Sequence, residues 1–335
     1  MLLLAIVLTI ACDTPMWVYL IRQAKGQLYV IYHTQKVATV FANNNLDWNE
    51  IHKIKLIQEI KLYAENEIGL NKTNNYTTFY NQHSKPILWM LTACEPFAFN
   101  EKAWQFPLLG EVSYKGFFDY NLAINEANYL KMQDYDVDVG KVSAWSTLGI
   151  LSDPILSSML ENEEGELAEL IIHELTHATL YFPNNVDFNE NFASFVGRQG
   201  AIQFIKNKYG SQSKQLEIYL KDVEEETILK RFLFENKEML SLYYASFDKN
   251  MADSQKDKLK QKKLSEVIQK LYHLNIYNWK TKIKIAQKIR LSGNAYFMSF
   301  NRYDAQYEQL LKSFNQQNNN LKSFIQFHKN NKANY

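Results

Sequence analysis

Two stretches of this chain carry residue types that could do chemistry at one place. IIHELTHATLYF contains His173, Glu174 and His177 in an HExxH pattern. On a helix, residues four apart share a face, so the two imidazoles can offer nitrogens to a single metal ion. Glu174, one step from His173, would lie beside the metal and could take a proton from water. The chain has 7 histidines, and with so few a chance HExxH arises with a probability on the order of one in a hundred. The apolar residues Leu167, Leu170, Ile171, Leu175 and Ala178 recur with a helical period. The competing reading is a pair of hydrogen-bonded core histidines.

A catalytic metal of this kind needs a third protein ligand and an open position. The other histidines (His33, His52, His83, His273 and His328) lie far off in sequence, without matching context. FNENFASFVG follows a break at Pro183, Asn184 and Asn185 and supplies Glu190. With Asp187 as N-cap, the second helix is expected to start near Phe188. Glu190 would then sit in its first turn, facing the positive end of the helix dipole. An ordinary first-turn acid is the plain alternative for Glu190. Ser194, one turn on, could hydrogen-bond a ligand imidazole or simply pack between helices.

HExxH followed by a glutamate from a second helix resembles the gluzincin metallopeptidases, and NENFA is similar to the NExFA third-ligand motif of zinc aminopeptidases. The intervening gap of 12 residues fits a tight helix–turn–helix. From about Cys12 to Phe314, the segments GQL, NYTTFY, FPLLGEVSYKGFFD, SAWSTLGILSDPILSSML, IIHELTHATLYF, FNENFASFVG and NAYFMSFNRY resemble, in that order, a bacterial family of predicted zinc aminopeptidases. The resemblance implies one zinc ion held by His173, His177 and Glu190, with Glu174 as general base in peptide hydrolysis. Imidazole and carboxylate ligands also suit other divalent ions.

Amide hydrolysis needs a group to steady the oxyanion, for which related enzymes use Tyr or His. Among 21 tyrosines, position within the family-like segments points to Tyr303 and Tyr114, each of which could instead be a half-buried aromatic with a satisfied hydroxyl. VSAWSTLG is the candidate edge strand for pairing with substrate backbone, or else an interior strand. Glu111, Asp119 and Glu169 are acids that could bind a substrate amine, and nothing in the sequence singles one out.

These groups must be positioned by a fold. At 335 residues and 46% hydrophobic, the chain can bury a sizeable core. The expected class is α+β and predominantly helical, with a small central sheet beside the HExxH helix and a helical C-terminal half. KPILWMLTAC reads as a buried strand ending in Cys94, FPLLGEVSYKGFF as two strands or a hairpin, and NLAINEANYLKMQ as an amphipathic helix. DVDVGKVSAWSTLG alternates as a strand, with Asp153–Pro154 expected as a turn. Gly69 is a sensible C-cap for the helix before it. Residues 13–315 are expected to form one peptidase-like domain with a soft boundary near 210, and residues 316–335 a disordered polar tail.

A net charge of +1 gives no reason to expect a nucleic-acid partner. DKLKQKKL reads as an exposed lysine-rich helix face. The 2 cysteines, Cys12 and Cys94, cannot make a disulfide framework or a metal-type pair. MLLLAIVLTIAC, residues 1–12, is too short to span a bilayer and resembles a lipoprotein signal ending at Cys12, although no Lys or Arg precedes the run. An uncleaved anchor that includes MWVYLI and a plain cytosolic helix are the other readings. The first two place the chain in the bacterial envelope, held at the membrane by a lipid or an anchor and facing the periplasm. Three functions follow: a zinc aminopeptidase acting on peptides, an envelope metalloendopeptidase of protein quality control, and a non-catalytic zinc-stabilised lipoprotein. Retention of Glu174 argues against the last, because a structural site needs no general base.

Overall fold

Helix-forming sequence dominates both ends of the chain, and most described residues are helical. The computed structural model describes residues 14–43, 46–106, 110–142, 152–183, 185–298 and 306–332. It opens with α1 (Thr14–Tyr32), β1 (Gln35–Lys36), α2 (Val37–Ala42) and α3 (Trp48–Tyr63). Asp47 and Glu50 cap α3 reciprocally, each side chain accepting from the other's amide. A wider turn, Ala64–Ile68, ends α3 at Gly69, whose φ of 85° is left-handed and suits glycine. Then come β2 (Thr78–Tyr80), β3 (Trp89–Cys94), β4 (Trp104–Phe106), β5 (Gly110–Val112), β6 (Lys115–Phe117), α4 (Tyr120–Lys131), β7 (Asp136–Lys141) and β8 (Ile155–Leu156). A 3-10 turn, Ser157–Glu161, leads into α5 (Glu164–His177) and α6 (Val186–Tyr209). The remainder is helical: α7 (Lys214–Ala245), α8 (Asp253–Tyr272), α9 (Trp279–Ser292), α10 (Asn294–Met298), α11 (Tyr307–Gln316) and α12 (Leu321–Asn330).

The class is α+β and predominantly helical. The strands, however, do not gather into one central sheet among the described residues. They form β1-β2-β8, β6-β3-β7 and the hairpin β4-β5. Strands this short, interrupted by turn residues, pair with whichever neighbour lies close. In the first sheet β2 pairs with β8 in parallel, Phe79 opposite Ile155, and both residues belong to the same large apolar core as Ile171, Ile172 and Leu175 of α5. β3 pairs antiparallel with β7, from Trp89 opposite Lys141 to Cys94 opposite Asp136. Cys94 is fully buried there, and burial pushes its thiol up to about 12.

A second apolar cluster joins Leu233, Leu240, Val267, Ile268, Leu271 and Ile289 of α7, α8 and α9. The lysine-rich stretch before it is not uniformly exposed. Lys260 is buried, its Nζ 2.7 and 2.6 Å from the two Asp136 carboxylate oxygens, which ties α8 to β7. The chain then returns to the first core, where Phe314, Leu321, Phe324 and Ile325 pack. This corrects the expectation of a disordered tail: residues 321–330 are α12. LKSFIQFH places Leu321, Phe324, Ile325 and His328 on one helical stripe, a signal masked by the polar NQQNNN before it. The apolar run ending at Cys12 lies outside the described residues. Among those described, no helix is long and apolar enough to cross a membrane.

Candidate metal centre

α5 turns its apolar stripe, Leu167, Ala168, Ile171, Ile172 and Leu175, into the core. His173 and His177 consequently face α6. The connection to α6 is pinned by Asn189, whose side chain accepts from the Phe182 amide at 2.7 Å and donates to the Phe182 carbonyl at 2.8 Å. The N-cap is Asn185 rather than Asp187: Asn185 Oδ1 accepts from the Phe188 amide at 3.2 Å and the helix starts at Val186. Asn caps as well as Asp, so the chain enters the helix earlier than expected. Glu190 therefore lies in the second turn, where the dipole has weakened. Its partners on α5, not the helix end, hold it.

The two helices run antiparallel along a polar seam. His177, His173 and Glu169, successive four-residue steps on α5, face Glu190, Ser194 and Arg198 on α6. The imidazole Nε2 atoms are 3.1 Å apart. Glu190 Oε2 is 3.5 Å from His173 Nε2, and Glu190 Oε1 is 3.5 Å from His177 Nε2. Tetrahedral ligands at the ~2.0–2.1 Å bonds of zinc stand about 3.3 Å apart, so the spacing fits one such ion. Gly197 makes the approach possible. A Cβ there would lie 2.9 Å from the Glu169 carbonyl oxygen and 3.2 Å from His173 Cβ.

Further along the seam the contacts are those of a support. Ser194 Oγ lies 3.4 Å from His173 Nδ1. Arg198 Nε is 3.5 Å from Glu169 Oε1, its Nη2 donates to Glu226 at 2.7 Å, and the Tyr219 hydroxyl donates to Glu169 at 2.5 Å. The His177 Nδ1 is buried without a hydrogen bond among the described residues. Burial alone would lower the His173 imidazolium pKa, but the Glu190 hydrogen bond and the charges of Glu174, Glu190 and Glu169 outweigh it and raise it. Burial opposes ionisation of Glu190, yet hydrogen bonds from His173 and His177 hold its carboxyl well below the usual range.

Glu174 is buried on α5, one residue from His173. Its charge is felt by a residue that sequence reasoning missed. Tyr76 is fully buried, and burial followed by the charges of Glu174 and Asp153 pushes its hydroxyl well above the ordinary value. Its backbone is left-handed, φ 61°, a conformation costly for an aromatic residue. Its amide donates to the Asp153 carbonyl at 2.7 Å, and Asn75 and Asp153 exchange side-chain bonds at 3.1 and 3.3 Å. Asp153 is thus a buried anchor for this loop. The available signal was that Tyr76 and Asp153 each lie in a family-like segment, NYTTFY and SAWSTLGILSDPILSSML.

The structure brings His173, Glu174, His177 and Glu190 together. Tyr303 and residues 143–149 of the proposed edge strand lie outside the described residues. Tyr114 sits in the turn between β5 and β6 and is partly exposed. Of the three acids considered for amine binding, Glu111 accepts from Gln105 at 2.8 Å and Asp119 caps α4 by accepting from the Asn121 amide at 2.8 Å. Glu169 is beside His173 but engaged by Arg198 and Tyr219.

A family model described as "Putative aminopeptidase" matches residues 18–333. No curated protein matches the chain, and no solved structure does.

Proposed function

Because the chain belongs to the family described as "Putative aminopeptidase", we propose that it is a zinc-dependent peptidase, cleaving peptides from their amino ends, with its centre on the α5–α6 seam. The observation that carries the reading is the convergence of His173, His177 and Glu190 in ligand spacing, beside the buried carboxylate of Glu174. Two imidazoles and one carboxylate are a donor set that suits zinc. Held by His173, His177 and Glu190, a zinc ion would serve as a Lewis acid towards water and a peptide carbonyl. Glu174 takes the proton from the attacking water and returns it to the leaving amine. Ser194 steadies the His173 ring, and Gly197 lets the two helices approach closely enough for the three ligands to meet. Tyr76 joins Tyr303 as a candidate for the hydroxyl that faces the oxyanion, supported by its coupling to Glu174. Peptide specificity for a free amino end follows from the family alone. The apolar run that ends at Cys12 supports an envelope location, with the chain held by a lipid or an anchor.

The test separates two acids. Glu190→Ala should lose the metal and activity together. Glu174→Gln should retain metal and fold while hydrolysis of free and amino-blocked peptides falls by ~10²–10⁴-fold or more. An active, metal-loaded Glu174→Gln protein would end this mechanism, whereas equal cleavage of blocked and free peptides would reassign the protein as an endopeptidase.

A further inference from the structure

α1 has an outward face that its own fold does not use. Its inner face is well anchored: Tyr19 donates to the Gly116 carbonyl at 2.8 Å, and its ring meets those of Phe106 and Phe117. Gly26 lies so close to the Phe118 ring that a Cβ would stand 2.3 Å from it. Val30 is buried in the main core. These contacts fix the helix's rotation, so the residues on its other side are held in solvent by the fold.

That side is apolar. Val18, Ile21, Leu28, Tyr29 and Tyr32 are all exposed, Ile21 at 66%, Leu28 at 65% and Tyr32 at 85%. At about 100° per residue these five fall within roughly 120° of arc. Arg22 and Lys25 fall inside the same arc and are exposed as well. The helix contains no Asp or Glu. A monomeric soluble protein seldom displays so concentrated an apolar stripe. Arg and Lys can lay their apolar stems along such a stripe while their charged heads stay in the polar layer, where anionic headgroups attract them. Beside the helix a cavity of about 930 Å³ opens between α1, the loop at 80–87 and α4; Arg22 and Lys25 reach its α1 wall, Lys85 and Asp119 also line it, and Lys115 there is paired with Glu126 at 3.0 Å. In sequence, the apolar run ending at Cys12 directly precedes α1.

We propose that the outward face of α1 docks on an anionic phospholipid surface. The apolar and tyrosine side chains enter the interfacial layer, and Arg22 and Lys25 meet the headgroup phosphates. Charge complementarity selects this occupant over a second copy of the chain, because two such faces would oppose cation to cation. The inference is independent of the hydrolytic chemistry. It also goes beyond attachment through the N-terminal run, because it assigns an orienting surface to the folded protein.

The experiment is sedimentation of the full chain with vesicles of phosphatidylcholine, alone or mixed with an equal part of phosphatidylglycerol. The wild type should prefer the anionic vesicles and be released as salt rises. Arg22→Glu with Lys25→Glu should abolish that preference, with a loss of about 30-fold or more in partitioning. Ile21→Ser with Leu28→Ser should weaken binding to both vesicle types. All four positions are exposed, so thermal stability and metal content should not change. Variants that bind like the wild type would show that the N-terminal run alone makes the attachment, overturning this assignment while leaving an envelope location intact. A wild type indifferent to lipid charge would overturn it too. So would release by inorganic phosphate beyond that by chloride of equal ionic strength, which identifies a free-anion site. A variant that changes oligomeric state without changing vesicle binding would identify a second copy as the occupant.

Discussion

Replacing Gly197 with alanine puts the smallest possible wedge into the seam that builds the candidate site. The added carbon would lie 2.9 Å from the Glu169 carbonyl oxygen, 3.2 Å from His173 Cβ and 3.4 Å from His173 Cα. Ordinary contacts begin near 3.4 Å, so relief requires about 0.5 Å of movement. Two of the three obstructing atoms are backbone, so α5 and α6 must part rather than a side chain turn. Overpacking of this kind costs about 1–3 kcal/mol, and the helix propensity of alanine over glycine returns about 1 kcal/mol. The net loss of stability is about 0–2 kcal/mol, small enough to leave the protein folded. Metal binding should suffer more. His173 and His177 lie on one side of the seam and Glu190 on the other, so the parting directly lengthens the 3.5 Å separations. Sites of this type demand geometry within about 0.5 Å, and loss of a supporting contact lowers metal affinity about 10–100-fold. The assay is zinc affinity by competition with a chromophoric chelator, paired with thermal unfolding. Gly200→Ala is the control, since its Cβ would meet the side-chain ends of Ile68 and Ile172 at 2.9–3.0 Å, one turn further along. It should affect stability but leave zinc affinity near wild type. If Gly197→Ala binds zinc as tightly as the wild type, or if Gly200→Ala loses as much, the seam does not position the ligands as argued.

Three other outcomes are expected. Tyr76→Phe should keep the metal and lower kcat with little change in KM, measured on the best peptide substrate; unchanged kcat would reduce Tyr76 to a packing residue. Phe324→Ala should destabilise the fold by about 3–5 kcal/mol in denaturant unfolding, because Phe324 is fully buried among Phe192, Phe195 and Phe314; a loss below about 1 kcal/mol would return residues 316–335 to the status of a tail. Burial depresses His328 from 6.5 to about 4 in the folded state. The sign follows from linkage: the unfolded chain binds a proton first, so stability is complete above about 6.5 and falls as pH drops towards 4, by about 3 kcal/mol from this group. His328→Leu should flatten that part of the stability profile, and an unchanged profile would assign the acid sensitivity elsewhere.

What the sequence determined by itself is whatever a single helix determines. The four-residue step of His173 and His177 is a property of α-helical geometry, so their shared face and the position of Glu174 were legible before any fold was known. Periodicity likewise located α3, α4 and the α5 stripe, and alternation located β7. Motif order drew attention to Glu190, although its cap was misplaced because Asn185 and Asp187 are equally able caps two residues apart. Only the tertiary structure decided the register between α5 and α6. That register brings Ser194, Gly197 and Arg198 against His173 and Glu169, and it depends on a close helix approach with no local signature. The same holds for Tyr76, singled out from 21 tyrosines by its burial and its electrostatic link to Glu174, and for Lys260, drawn out of a solvated run by Asp136 more than a hundred residues away. α12 belongs here as well, since a short amphipathic segment after a polar stretch becomes ordered only when a core receives its stripe. Pairings distant in sequence are set by which surfaces exclude water together, and that is a property of the whole chain.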